Sequence, residues 1–333
     1  MKAIVTGAAG FIGSHVAEKL LQSGHEVIGL DDLSGSFESN IPTGIDFIKF
    51  DSQGSATELF RRIRPDLVYH LAAYAAEGLS HHIPAFNYQN NLVATANVLT
   101  ASFLSNVKHF VFTSSIAAYG HPLNCSVFKE DDACNPCDPY GIAKYACELH
   151  IKAFFHYHGG PTYSIFRPHN VFGPRQNISD PYRNVVGIFM RCALQGKPMP
   201  IFGNGSQTRS FSYIDLVANC IAQSPFIPSA RNEVFNIGGD ESMSVLQLAT
   251  IISSVMKVPE TIQFLQARDE VAHAHCCHEK IRRVFADAYR NEIDIETGLE
   301  RMAEYIKTKA VPPTTECPSE IEIENKLPPS WRK

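Results

Sequence analysis

Tyr140 and Lys144 stand four residues apart in the stretch PYGIAK, so on a helix their side chains share one face. A nearby ammonium favours the phenolate, lowers the tyrosine pKa and makes the hydroxyl an acid/base usable near neutrality. A Tyr-x-x-x-Lys spacing is common by chance. It gains weight from Thr113-Ser114-Ser115, which closes an apolar run upstream. A serine hydroxyl there can hydrogen-bond the same reacting oxygen, and hydride chemistry then needs a nucleotide cofactor beside it.

The first residues offer that cofactor a place. Gly7-Ala8-Ala9-Gly10-Phe11-Ile12-Gly13 follows an apolar run, residues 1–6, and precedes helical spacing over residues 11–23. In such a loop the first glycine permits a tight turn. The second lets backbone approach a pyrophosphate, and the third lets helix and sheet pack closely, with phosphate at the helix N-terminus. A strand–helix turn without ligand would use glycines too. Asp31 ends the next apolar run, where a carboxylate accepts from ribose hydroxyls and repels a 2′-phosphate. No Lys or Arg lies between Asp31 and Ile48, so NAD is expected rather than NADP. Asp51 ends the third run and is either an adenine contact or a solvated turn residue.

These groups need a scaffold that brings strand ends together. Short apolar runs at residues 1–6, 26–30, 45–50, 67–71, 110–113 and 164–167 alternate with helical stretches at 56–64, 86–104 and 140–158. That alternation predicts an α/β fold, a Rossmann-like doubly wound parallel sheet that binds ligands beyond the carboxyl ends of its strands. After Arg167 the loops lengthen and grow richer in Pro and Gly. The expected organisation is an NAD-binding domain over residues 1–167, a smaller lobe over 168–309 that is mainly substrate-binding, and a C-terminal tail over 310–333. The alternation EIEIE at 320–324 offers the tail an added edge strand.

Composition narrows the class. Of 333 residues 44% are hydrophobic and 19% charged, and the net charge of −5 carries no block of like sign, so neither nucleic acid nor membrane is an expected partner. The apolar start is broken at Thr6-Gly7 and again at Ser14-His15, unlike a signal peptide. Nine scattered cysteines then read as reduced thiols in a cytoplasmic enzyme.

With TGAAGFIGSH, DDLSG, HLAA (70–73), NNLVATANVL (90–99), VFTSSIAAYG (111–120), PYGIAK, FRPHNVFGPRQ (166–176) and PIFGNGSQTRSFSYIDL (200–216), the chain resembles the extended short-chain dehydrogenase/reductase family. Within it the likeness is to UDP-sugar 4-epimerases, and it runs from Met1 to about Met302. The resemblance implies NAD that is reduced and reoxidised within one catalytic cycle on a UDP-hexose. It makes Tyr140 the base for the sugar 4-hydroxyl, Ser115 the partner of the reacting oxygen, and Lys144 the group that tunes Tyr140 and binds the nicotinamide ribose. It places Phe11, Ile12, Asp32, Ser34, Ser52, Leu71, Ala72, Ala73 and His169 along the cofactor, with Asn91 supporting a loop near it. It assigns Asn170, Arg209 and Arg268 to the substrate phosphates, although each arginine also reads as a surface ion pair. Asn184, Ile201 and Phe202 become sugar and uracil contacts, and Ala274 a small gate residue that admits a bulky C2 group. It implies a homodimer through a four-helix bundle of the helices at 86–104 and 140–158.

The chain also departs from the family. Dehydratases carry an Asp-Glu pair where this sequence has Ile116 and Ala117. Glu77 stands in a stretch that carries no acid in many epimerases. It is a hydroxyl ligand, a base on C5 or C6, or a loop-capping carboxylate. A dehydratase or decarboxylase using Glu77 therefore stays open beside the epimerase, as does a non-catalytic NAD-binding sensor. No metal site is expected, because the adjacent cysteines in HAHCCH (273–278) are poorly spaced for chelation. Cys134 and Cys137 read as a redox pair or as chance.

Overall fold

The computed structural model describes residues 1–122, 127–267, 273–309, 317, 319–328 and 331. Its centre is a seven-stranded, all-parallel sheet. The elements that build it are β1 (Lys2–Thr6), α1 (Phe11–Gln22), β2 (Glu26–Asp31), β3 (Asp46–Lys49), α2 (Thr57–Ile63), β4 (Leu67–His70), α3 (Glu77–Ser80), α4 (Pro84–Tyr88), α5 (Ala94–Leu104), β5 (His109–Thr113), α6 (Pro139–His158) and β6 (Thr162–Pro168). They continue with β7 (Val171–Phe172), α7 (Val185–Gln195), β8 (Met199–Phe202), β9 (Thr208–Ser210), β10 (Ser212–Tyr213), α8 (Ile214–Gln223), β11 (Glu233–Ile237), β12 (Ser242–Ser244), α9 (Val245–Met256), β13 (Ile262–Leu265), β14 (His273–Ala274), α10 (Glu279–Val284), α11 (Ala286–Tyr289) and α12 (Ile295–Lys307).

The strand order β11-β6-β5-β4-β1-β2-β3 reverses direction between β1 and β4, and a crevice opens there beyond the strand ends. Both faces are covered. Val16, Ala17 and Leu20 of α1 pack with Val217 and Ile221 of α8 on one side. Phe60, Val98, Leu99, Ile151 and Phe155 of α2, α5 and α6 fill the other. Each fully buried side chain of this size contributes roughly 1.5–3 kcal/mol, which is why the strands read as unbroken apolar runs. A separate core joins α7, α9 and α12 around Ile201 of β8.

Three local features differ from the sequence expectation. The seventh strand, β11, comes from beyond Arg167 and pairs with β6 from Glu233↔Ser164 to Ile237↔Pro168, so the later part of the chain returns to the sheet. The helical run at 86–104 is interrupted by a π-turn over Gln89–Val93 between α4 and α5. Residues 320–324 form no strand. Glu322 and Ile323 both donate their backbone N–H to the single carbonyl of His82, at 2.8 and 3.1 Å, because the turn into α4 offers them no extended edge. Among the described residues no helix is long and apolar enough to cross a membrane.

Candidate active site

The glycine loop turns directly off β1. Gly7 has φ +73°, and a Cβ on Gly13 would run into the Gly7 carbonyl, so α1 begins tight against the strand with its N-terminus facing the crevice. Asp31 is buried at the end of β2. Its carboxylate accepts from the Ala9 N–H at 3.0 Å, the Leu33 N–H at 2.9 Å and the Ser36 hydroxyl at 2.8 Å, tying the glycine loop to the loop after β2. Asp32 accepts from the backbone and hydroxyl of Ser34, and Asp51 from the Gln53 N–H.

The next wall is the loop after β4, held from behind by a buried relay. Thr6 Oγ1 accepts from the N–H groups of Leu71 and Ala72, both at 3.1 Å, and donates to His70 Nδ1 at 2.8 Å. Thr95 Oγ1 donates its own proton to the Asn91 carbonyl at 2.6 Å and so accepts from His70 Nε2 at 3.0 Å, which fixes the tautomer, and burial lowers the His70 pKa to about 3, so the ring is neutral. Asn91, on the π-turn, clamps the Tyr74 backbone through both its amide oxygen and its amide nitrogen, at 3.0 and 3.2 Å. The widened turn is what aims Asn91 at this loop.

Tyr140 and Lys144 enter from α6. Asp138 caps that helix by accepting from the Gly141 N–H at 2.8 Å, with Pro139 in the first turn. Gly141 lies so close to the Ala117 carbonyl that a Cβ would not fit. This contact holds the helix against the turn led by Ser115. Ser115 Oγ accepts from the Ala117 N–H at 3.1 Å, and Ser115 lines the cleft together with Tyr140. Burial first, then the charge of Glu77, raises the Tyr140 pKa above its ordinary value, while the nearby Ser115 hydroxyl and the Arg183 charge pull it down. Lys144 is buried, donates to the Thr113 carbonyl at 2.9 Å and lies 5.8 Å from the Tyr140 ring centroid. Burial lowers its pKa to about 8, partly offset by Cys147 and Glu148.

All of these surround one cleft of about 1530 Å³. It brings together Gly7, Gly10, Phe11, Ile12, Gly13, Asp31, Asp32, Ser34, Asp51, Ser52, Leu71, Ala72, Ala73, Glu77, Ser115, Tyr140, Lys144, Asn170, Asn184, Ile201, Phe202 and Arg209. Asn170 donates to the Ser210 carbonyl at 2.9 Å, and Asn184 caps α7 while donating to the Val171 carbonyl. Arg209 lies on β9, where its Nη1 donates to the Thr208 carbonyl at 2.9 Å. Two other predicted residues, Asn91 and His169, do not line the cleft. Asn91 lies behind the loop that it clamps. His169 is buried against His278, with their Nε2 atoms 2.8 Å apart. The backbone of Ala274 pairs with that of Arg209 across β14 and β9, and Arg268 lies outside the described residues.

Sequence reasoning missed Arg183. Its guanidinium lies over Gly35 and over the Tyr74 ring at 4.5 Å, and it pairs with Asp180 at 2.9 Å. It reaches the cleft on a loop that carries no motif, and its only signal was its place beside Asn184. Cys134 and Cys137 are not joined in a disulfide, and burial raises the Cys134 pKa, opposite to what a redox-active thiol needs. Among the described residues no three His, Cys, Asp or Glu side chains cluster as metal ligands.

A model of the NAD dependent epimerase/dehydratase family matches residues 3–238. The chain belongs to this family. It is 31% identical over 320 residues to the UDP-glucose 4-epimerase of Mycolicibacterium smegmatis, an alignment spanning 93% of this chain and 100% of that one. The structure of the Thermotoga maritima UDP-glucose 4-epimerase with UDP-glucose superposes with a TM-score of 0.86 at 31% identity, covering 92% of this chain and 99% of that one. The Bacillus cereus UDP-glucuronic acid 4-epimerase, in complex with UDP-glucuronic acid and NAD, superposes at 0.82 with 30% identity over 92% and 99% of the two chains. The protein is thus an NAD-dependent enzyme of the epimerase/dehydratase family. The residues present fit that cofactor, because the glycine cradle leaves no room for a Cβ where backbone meets phosphate, and a carboxylate stands at the end of β2.

Proposed function

We propose that the enzyme interconverts a UDP-hexose and its C4 epimer through a transient 4-keto sugar. The observation that carries this reading is the convergence of Ser115, Tyr140 and Lys144 on the same cleft as the glycine loop. Tyr140 takes the proton of the sugar 4-hydroxyl and later returns it. Ser115 holds the oxygen as it changes from hydroxyl to carbonyl, donating to it where charge develops. The chemistry supplied by bound NAD is abstraction of a hydride from C4 and its return to the opposite face. The glycine loop and Asp31 hold that cofactor, with Lys144 at the nicotinamide ribose. Arg209 and Asn170 receive the substrate phosphates, the guanidinium by its two-pronged donor geometry. Relatives named for UDP-glucose and UDP-glucuronic acid support a uridine nucleotide.

One observation favours a second reading. Glu77 lines the cleft close enough to act on the Tyr140 pKa, so a carboxylate is at hand for 4-keto chemistry that goes on to eliminate water or carbon dioxide. Against it, Ile116 and Ala117 supply no acid or base at the turn after Ser115. Mass-resolved assays of UDP-glucose, UDP-N-acetylglucosamine and UDP-glucuronate decide between them. Epimerisation leaves the mass unchanged, whereas a product lighter by one water or one carbon dioxide refutes the epimerase.

We also infer a homodimer through α5 and α6, within a cytoplasmic enzyme. Leu104 on α5 and Ile142 and Leu149 on α6 are exposed apolar side chains on the helices concerned. Sizing of Leu149→Glu against the unaltered protein at several concentrations tests the dimer.

A further inference from the structure

One end of the cleft is closed by residues beyond the reach of the family resemblance. Asn325, Lys326, Leu327, Pro328 and Trp331 line it beside Tyr182. They are anchored, not draped. The Glu322 carboxylate accepts from the N–H groups of Ala85 and Phe86, at 2.8 and 3.0 Å, at the start of α4. His82 bonds the same segment twice over, through its carbonyl and through Nδ1 to the Ile323 carbonyl at 2.8 Å. Leu327 and Trp331 are buried with Tyr74, Ala76, Leu79 and Ile83, the residues that flank and back Glu77. The indole meets the rings of His82 and Tyr182 edge-on, at centroid distances of 6.2 and 5.3 Å. Burial of a leucine and a tryptophan outweighs the fraying expected of such a segment.

We propose that Leu327 and Trp331 are specificity-determining residues that form the wall at the sugar end of the cleft. They bound the space for sugar substituents and, through Tyr74, Ala76 and Leu79, set the position of Glu77. This rests on the reading of the cleft as a nucleotide-sugar site. The wall acts on the sugar and not on the nucleotide, so its effects divide along that line. A 4-keto sugar must turn within the cleft before hydride returns, and an aromatic wall limits that turning to the space the sugar needs.

Trp331 is the single tryptophan of the chain, so intrinsic fluorescence reports on this wall alone. The experiment titrates the NAD-loaded enzyme with UDP and separately with UDP-glucose and UDP-N-acetylglucosamine, following tryptophan emission and, by calorimetry, affinity. Trp331 emission should respond to the nucleotide sugars and stay nearly unchanged with UDP. Trp331→Ala should weaken nucleotide-sugar binding about tenfold while leaving UDP affinity unchanged, the scale of losing one aromatic anchor. Trp331→Phe should restore most of it. Glu322→Ala, which removes the anchor and keeps the indole, should give solvent-exposed tryptophan emission and the same selective weakening. An identical Trp331 response to UDP and UDP-sugars, or equal weakening of both in Trp331→Ala, overturns the proposal. Failure of the unaltered enzyme to bind any UDP-sugar by calorimetry instead overturns the functional reading beneath it, and the wall assignment with it.

Discussion

Lys144 should cost the cofactor-free protein stability. The residue is 2% exposed, and Glu148, which favours the charged form, is already committed to Arg167 by bonds of 2.9 and 2.7 Å. Burial lowers the Lys144 pKa from 10.5 to about 8. At pH 7 the unfolded chain holds this proton without strain, whereas the folded protein holds it at a cost of about 3 kcal/mol. The sign follows from proton counts. Between about pH 8 and about pH 10 the unfolded state binds more protons at this residue than the native state, so native stability at this site rises with pH. Lys144→Met removes the buried charge but leaves the Thr113 carbonyl without its donor, which returns about 1–2 kcal/mol of the gain. The variant should therefore be more stable by about 1–2 kcal/mol at pH 7, while losing turnover. Its advantage should shrink and reverse as pH rises towards 10. Denaturant unfolding of the two cofactor-free proteins at pH 7, 8, 9 and 10 reads the difference, in which all other titrating groups cancel. A stability difference that does not vary across that range refutes the assignment of a depressed pKa to Lys144.

Tyr140→Phe should lower kcat by roughly 10²–10⁴-fold with bound nicotinamide retained, measured as turnover against cofactor content. Glu77→Gln removes the charge that helps raise the Tyr140 pKa, so the acid limb of the kcat profile should move to lower pH, with a static profile contradicting the coupling. Glu148→Gln leaves the Arg167 guanidinium without its buried counter-charge, and unfolding in guanidinium chloride should show a loss of about 3–5 kcal/mol.

What was legible in the sequence was local. Gly7, Gly10 and Gly13 define one turn, Tyr140 and Lys144 one helical face, and Asp31 one strand end, so short-range spacing sufficed. Tertiary convergence left no comparable mark. Arg183 reaches the cleft from a loop without a motif. The Thr6–His70–Thr95 relay joins residues far apart in the chain, each of which alone reads as ordinary core. Strand β11 was missed because α7, α8 and the short strands β7 to β10 separate it in the chain from its partner, β6. The alternation at 320–324 has the period of a strand, yet only one carbonyl was available to receive it.

The central claim is that one hydride leaves C4 of a UDP-hexose and returns to the same molecule, with Tyr140 moving the proton. A UDP-hexose carrying deuterium at C4 tests this directly, by mass spectrometry of the recovered epimer after turnover in ordinary water. The account predicts that the C4 deuterium is retained in an epimer of unchanged mass, with no lasting reduction of the cofactor. An epimer that has exchanged its C4 deuterium for a solvent proton contradicts it.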